Sequence, residues 1–216
     1  MFIVSKDPKS IAAENYRILR TNIQYSSFDN EIKRILVTSS VPGEGKTTTV
    51  GNLALTFAQD EKKTIIIDCD LRKPTLHKRF NISNTFGLSD VMLDHKTISK
   101  AIHNVDKNLY VLPSGKVPPN PSELLGSKTL DTLLDELSKL YDVIIIDSPP
   151  LLAVTDAQIL SKKVDGTVLV VRSNFTKKDT VLSAREVLNK VKANILGAVL
   201  TRSDEKKHEY YYYYGN

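Results

Sequence analysis

The sequence predicts an α/β fold, a three-layer α/β/α sandwich built on a mainly parallel sheet. Short runs of apolar, mostly β-branched residues alternate along the chain with longer segments that have the apolar period of amphipathic helices. Most of these runs are apolar at every position, as expected for strands whose sheet is covered by helices on both faces. At 216 residues the chain is long enough for one domain with a sizeable core.

The elements of the first half can be assigned in order. Residues 1–4 are short and apolar and are predicted to be a strand or a tether, and apolar spacing predicts a helix from Pro8 to Tyr25. Residues 35–37 are predicted to be a strand, and the loop after them leads into a helix that ends near Gln59. A turn and a second strand, Thr64–Asp68, follow.

The second half continues the alternation. Residues 71–84 are predicted to be a basic loop with some helix, and residues 86–106 to be short helices. Further strands are predicted at Leu109–Leu112, Val143–Asp147, Gly166–Val171 and Ile195–Leu200. Helices are predicted at Leu124–Leu140, Ala153–Lys162 and Lys177–Lys192. In such a sheet, ligands bind at the carboxyl ends of the strands.

The segment ILVTSSVPGEGKTTTV, residues 35–50, has the pattern of a loop that cradles polyphosphate. Its glycines let backbone N–H groups point inward, and the helix N-terminus that follows favours anions. Lys46 can reach the β- and γ-phosphate oxygens and Thr47 can bind Mg²⁺, which favours a nucleoside triphosphate over a plain glycine turn with a surface lysine. Ser40 stands where the full pattern has glycine, a mild departure. The expected contact residues are Gly43, Glu44, Gly45, Lys46, Thr47 and Thr48.

Carboxylates follow two of the predicted strands at the edge where the ligand should lie. Asp68 and Asp70 lie on the same side, and two such charges are unfavourable unless a cation lies between them or one carboxyl is protonated. Beside a triphosphate, that cation is most simply Mg²⁺. Asp147 ends a second apolar strand and is a further magnesium anchor, whereas Arg72 could pair with a carboxylate or with phosphate. The alternative interpretation is that Asp68 and Asp70 lie at a solvated strand end and bind no metal.

Composition argues against several functions. The net charge of +5 comes from scattered lysines, so nucleic acid binding is not implied. No run is long enough to span a bilayer, and residues 1–10 lack a signal-peptide pattern. The single cysteine, Cys69, precludes an internal disulfide and fits a reducing cytoplasm.

Three charged residues recur at a regular spacing along the first predicted helix. Glu14, Arg17 and Arg20 are separated by three residues each, so they lie along one side of that helix. The spacing by itself favours an intrahelical ion pair on a solvated face.

The chain ends in a cluster of consecutive tyrosines, namely Tyr210, Tyr211, Tyr212, Tyr213 and Tyr214. They follow a charged spacer and cannot form one face of any regular element, which alone suggests a sticky tail or an edge strand. A parallel last strand ends at the phosphate-loop edge, however. These phenols can therefore reach the site of this molecule or of a neighbour, as phosphoryl acceptors.

Together, SVPGEGKTTT, IIIDCDLRKP, VIIIDSPP and EYYYYYGN resemble the bacterial tyrosine kinases of capsule and exopolysaccharide synthesis, which have the P-loop NTPase fold of ParA/MinD-like ATPases. That family has a Glu-x-x-Arg-x-x-Arg helix used in ring assembly, matched here by Glu14, Arg17 and Arg20. The resemblance implies a kinase domain over residues 1–202, with an oligomerisation helix region in residues 1–30, and a flexible tyrosine-rich tail over residues 203–216.

The resemblance also implies an activity and partners. The activity is ATP- and Mg²⁺-dependent autophosphorylation of the tail in trans, which regulates polysaccharide polymerisation and export. The implied partners are a transmembrane activator that recruits this cytoplasmic chain to the inner face of the membrane, and a protein-tyrosine phosphatase that reverses the modification. Residue by residue, Lys46 would bind the phosphates, Asp68 would be the catalytic base, and Asp70 would act in both catalysis and metal binding. The implied metal set is Thr47, Asp68, Asp70 and Asp147, and the segment Thr201-Arg202 resembles the adenine side of the family's site.

Two other functions are weighed against this one. A ParA/MinD-type positioning ATPase carries Lys-Gly-Gly before the second invariant glycine, where this chain has Val41-Pro42-Gly43, and the MinD type ends in an amphipathic helix. A non-catalytic adaptor, phosphorylated on its tail by another kinase, would not need the intact set Lys46, Thr47, Asp68, Asp70 and Asp147.

Overall fold

The computed structural model describes residues 2–26 and 31–203, in which seven strands form one sheet. The strand order is β3-β4-β2-β5-β1-β6-β7, and every neighbouring pair is parallel except β3 with β4. The strands are β1 Arg34–Ser39, β2 Thr64–Asp68, β3 His103–Asp106, β4 Leu109–Leu112, β5 Val143–Asp147, β6 Gly166–Arg172 and β7 Ile195–Thr201.

Helices cover both faces of this sheet. They are α1 Ile3–Lys6, α2 Ile11–Gln24, α3 Lys46–Gln59, α4 Leu76–Phe80, α5 Leu88–Leu93, a 3-10 turn at His95–Thr97, α6 Ile98–Ala101, α7 Pro121–Gly126, α8 Lys128–Leu140, α9 Asp156–Ser161 and α10 Lys178–Lys190. Side chains alternate between the faces, so Ile35 and Val37 pack with α2 and α3 while Leu36 packs with α5 and α8. The predicted three-layer sandwich is therefore confirmed.

Three predicted elements differ from the structure. The strand that is one of two predictions for residues 1–4 is not formed by the described part of that segment, because Ile3–Lys6 is the short helix α1, in which Val4 donates its backbone N–H to Asn52 on α3. The sequence predicts a helix where β3 lies, but the alternate residues of this strand are exposed at the sheet edge and include polar side chains. The helix predicted over residues 124–140 is divided into α7 and α8 at Ser127, whose backbone is extended and whose hydroxyl caps α8.

The parallel strands deliver their carboxyl ends to one edge of the sheet. In the register of that edge, Asp147 of β5 is paired with Val37 of β1 on one side and with Asp68 of β2 on the other. The phosphate loop leaves β1 at the same edge and leads into α3. Within the described ranges, no helix has the length and apolarity required to cross a bilayer.

Candidate nucleotide-binding site

The phosphate loop is held in shape by two glycines and by Glu44. Gly43 and Gly45 have φ values of 85° and 95°, in the left-handed region that favours glycine. The Thr201 side chain lies 3.4 Å from where a Cβ on Gly45 would be, and its hydroxyl donates to the Glu44 carbonyl at 2.6 Å. The Glu44 side chain turns back into the loop and accepts from the Val41 N–H at 2.8 Å. Glu44 is therefore buried as a structural acceptor.

Asp147 joins the two side chains that the sequence assigned to phosphate and magnesium. Its Oδ1 accepts from the Lys46 ammonium, and its Oδ2 accepts from the Thr47 hydroxyl at 2.8 Å. The side chains of Lys46 and Asp147 are only 9% and 1% exposed, so little water screens this ion pair. The structure thus brings together one cation, one carboxylate and one hydroxyl at the start of α3.

These groups border a cavity of about 610 Å³, within the usual size range of small-molecule sites. One wall is the phosphate loop and the start of α3, and another is formed by Pro149-Pro150 with Ala153 and Val154. The third wall, which runs from the end of β2 to α4, is basic apart from Asp70 and Thr75. Its side chains are Asp70, Arg72, Lys73, Thr75 and Arg79.

The two carboxylates after β2 occupy different environments. Asp68 is fully buried, and its oxygens accept from the N–H groups of Asp70 at 3.1 Å and Leu76 at 3.2 Å. Burial, followed by the negative charge of Asp147, raises the pKa of Asp68 to about 8. Asp70 lines the cavity, and burial also raises its pKa, although Lys46 opposes that shift. Asp70 is thus placed to meet a ligand directly, whereas Asp68 lies behind it.

Arg72 borders the cavity but is held by a residue that the sequence analysis did not single out. Its guanidinium forms a two-pronged pair with Asp156, with N–O distances of 2.9 and 3.1 Å, and also donates to Ser122. The hydrogen bond to Asp156 raises the pKa of Arg72. Asp156 is fully buried in α9, where it is the one charged residue of the helix. Lys73 and Arg79 were also missed, although the basic character of residues 71–84 was visible.

The donor set fits a magnesium ion that is bound together with a nucleotide. Among the residues that the structure describes, no three His, Cys, Asp or Glu side chains are grouped closely enough to hold a metal by themselves. Mg²⁺ is usually held by one or two carboxylates, with phosphate oxygens and water completing its shell. Thr47 and Asp147 supply such oxygens together, and Asp70 offers another from the cavity wall.

Of the predicted residues on the first helix and at the end of the last strand, Thr201 contacts the phosphate loop, whereas Glu14, Arg17, Arg20 and Arg202 do not line the cavity. Glu14 and Arg17 form the expected ion pair at 2.8 Å, and Arg20 donates to the Thr56 carbonyl on α3 at 2.9 Å. Thr201 contacts the phosphate loop, whereas Arg202 is exposed and is absent from the cavity walls. The assignment of Thr201 and Arg202 to the adenine side of the nucleotide stays a prediction.

The predicted tyrosine acceptors lie outside the described residues, which end at residue 203. They are Tyr210, Tyr211, Tyr212, Tyr213 and Tyr214. Their role as acceptors stays a prediction.

Comparisons with known proteins agree with this geometry. A family model described as an AAA domain matches residues 32–195. The chain is 47% identical over 214 residues to tyrosine-protein kinase YwqD of Bacillus subtilis (strain 168), covering 99% of this chain and 90% of that protein. It is 36% identical over 199 residues to tyrosine-protein kinase CpsD of Streptococcus agalactiae, covering 91% and 86% of the two chains.

Solved structures of tyrosine kinases also resemble this chain. The chimerical protein CapA2B2 superimposes with a TM-score of 0.91 at 42% identity, covering 94% of this chain and 90% of the other. The kinase domain of Escherichia coli tyrosine kinase ETK has a TM-score of 0.88 at 33% identity, covering 100% and 85%. The McdA protein of Cyanothece, at 22% identity with a TM-score of 0.67, shares the fold alone.

Proposed function

The chain belongs to the bacterial tyrosine-protein kinases, and from this premise we propose that it transfers the γ-phosphoryl group of ATP to Tyr210–Tyr214 of a neighbouring copy. The observation that carries the proposal is the contact of Asp147 with both Lys46 and Thr47 beside a cavity of nucleotide size. This set is what a phosphoryl-transfer site needs, because catalysis there depends on positioning and on charge stabilisation.

Each polar residue of the site has a distinct part in this proposal. Thr47 and Asp147 would hold Mg²⁺, which when bound neutralises charge on the phosphate oxygens. Lys46 donates to the phosphate chain from the buried end of the cavity. A phenol has a pKa near 10, so its transfer step is assisted by a carboxylate that accepts the proton. Asp68 is the base in this proposal: burial raises its pKa, so its carboxylate is a strong proton acceptor once it is ionised, and the positive charge of bound Mg²⁺ would favour that ionised form. Asp70, which lines the cavity, would contact the metal.

Assembly and partners form the second part of the proposal. Phosphorylation in trans requires two copies to meet, and α2 presents Ile11 and Ile18 with 58% and 50% of their surfaces exposed beside the Glu14–Arg17 pair. Exposed apolar side chains on a helix support a subunit contact there. We further propose, on the strength of the family, that a transmembrane activator and a tyrosine phosphatase control the phosphorylated state, and that this state regulates polysaccharide polymerisation and export.

A mixing experiment tests transfer in trans. One variant carries phenylalanine at all five tail tyrosines and keeps its active site; the other is Lys46→Met and keeps its tail. Incubation with ATP and Mg²⁺ should yield phosphotyrosine on the Lys46→Met chain only when both are present. Lys139→Met, on the exposed side of α8, is the matched control and should phosphorylate itself like wild type. Release of free phosphate with no phosphotyrosine would instead support a positioning ATPase.

A further inference from the structure

Arg79 projects into the cavity from α4, although nothing in its sequence position marked it as a binding residue. Its guanidinium donates to the hydroxyl of Thr48, in the first turn of the helix that follows the phosphate loop. Among the described residues, no carboxylate lies within ion-pair distance of Arg79, whereas neighbouring Arg72 is paired with buried Asp156. The cavity wall therefore carries a guanidinium whose charge these residues do not neutralise.

The position of Arg79 is set by an aromatic side chain from the N-terminal segment. Phe2 is buried, and the Arg79 guanidinium carbon lies 5.7 Å from the centre of its ring, within cation–π range. The same ring packs on Phe80, with 4.8 Å between ring centres. It also fills the space beside Gly51 of α3, where a Cβ would overlap the ring. Phe2 is thus fixed between α3 and α4, and Arg79 rests on its face.

A second contact links the same N-terminal segment to Thr48. The Val4 N–H donates to the side-chain oxygen of Asn52 at 3.1 Å, and the Asn52 amide donates to the Thr48 carbonyl at 2.9 Å. The segment Phe2–Lys6 therefore reaches the first turn of α3 by two routes, one through Arg79 and one through Asn52. Both routes meet at Thr48.

We propose that Arg79 is a further polyphosphate-contacting residue and that Phe2 is a positioning residue that acts through it. This inference rests on the proposed binding of Mg²⁺ and ATP in the cavity. A guanidinium matches phosphate geometry and forms charge-assisted hydrogen bonds, which are about twice as strong as neutral ones. The ring of Phe2 restricts Arg79 to the phosphate side of the cavity, so the segment Phe2–Lys6 tunes nucleotide affinity.

The test is a double-mutant cycle on the full chain, read by equilibrium titration with a fluorescent, non-hydrolysable ATP analogue and Mg²⁺. Arg79→Ala should weaken binding about tenfold or more, because a hydrogen bond to a charged group is lost. Phe2→Ala should weaken binding by about threefold when Arg79 is present and should have no further effect in the Arg79→Ala background. Lys78→Ala is the control, since Lys78 is an exposed neighbouring cation that does not line the cavity.

The readouts separate positioning from general stability. A purely structural Phe2 would lower the thermal midpoint and would weaken binding by the same factor in both backgrounds, which would overturn its assigned role. Phe2→Leu retains the apolar volume and should keep most of the midpoint while losing affinity. If wild type binds the analogue and Arg79→Ala binds it equally well, this inference alone fails. If wild type does not bind, the proposed function fails as well.

Discussion

Replacement of Asp147 by alanine should destabilise the nucleotide-free protein, because it leaves the Lys46 ammonium buried without its carboxylate partner. Removing one partner of a buried ion pair costs about 3–5 kcal/mol. The Lys46 side chain is 9% exposed, which favours a large loss, but Asp68 lies on the neighbouring strand and its pKa is raised partly by Asp147. Without Asp147, Asp68 ionises more readily and compensates Lys46. We therefore expect a loss of about 3 kcal/mol, the lower end of that range.

Urea unfolding followed by circular dichroism measures this loss, with an exposed ion pair as the control. Arg34 and Asp135 lie 2.6 Å apart, and the Asp135 side chain is 65% exposed, so Asp135→Ala should cost no more than about 1 kcal/mol. The double variant Lys46→Met with Asp147→Leu should recover stability relative to Asp147→Ala, because no uncompensated charge remains. The reasoning is refuted if Asp147→Ala costs no more than the surface control, or if the double variant is the less stable of the two.

Other predictions concern the loop, the buried carboxylates and the tail. Gly45→Ala should lower stability by about 1–2 kcal/mol by urea unfolding and weaken nucleotide binding, because a side chain is strained at φ 95°. Folding raises the pKa of Asp68 from 3.8 to about 8, so between these pH values the folded chain holds a proton that the unfolded chain releases. The stability of the nucleotide-free protein should therefore fall as pH rises between these values, and Asp68→Asn should flatten that profile. Arg72→Ala should cost about 1–3 kcal/mol in the same assay, because buried Asp156 loses its charged partner but keeps its hydrogen bond from Ser122, whereas Arg72→Lys should cost less. Phosphorylation of Tyr210–Tyr214 adds about −1.5 to −2 charge per residue and should eject the tail and loosen any ring, so light scattering should give a smaller mass; equal masses would contradict this.

The sequence predicted those parts of the site whose positions follow from neighbouring residues in the chain. Residues 43–48 follow a strand directly and Asp147 ends another, so parallel pairing alone brings them to one edge. The contacts that it did not predict join distant segments. Arg72 meets Asp156 across 84 residues of sequence, and Phe2 meets Arg79 only because α1 packs on α3. Residue type and spacing carry no information about such pairs before the topology is known.

The strands, like the site residues, were predicted where the local sequence determines them and missed where pairing between distant segments does. Strands β2 and β5 are apolar at nearly every position before their final aspartates, and both were predicted with their observed bounds. Strand β3 is an antiparallel edge strand with His103, Asn104 and Asp106 among its four residues, so neither alternation nor apolar content distinguished it. β3 is a strand because it pairs with β4, and the local sequence of β3 does not encode that pairing.

Helix α3 connects the two functions that the chain is proposed to combine. Its first turn carries Lys46 and Thr47, and its final turns supply the Thr56 carbonyl that accepts from Arg20 of α2. A helix held by backbone hydrogen bonds moves largely as a unit, so a shift of α2 on assembly would be transmitted along α3 rather than absorbed within it. Arg20 is therefore expected to affect phosphate binding as well as assembly. Arg20→Ala should weaken nucleotide binding by the monomer at dilute concentration, and an unchanged Kd there would confine Arg20 to the subunit contact.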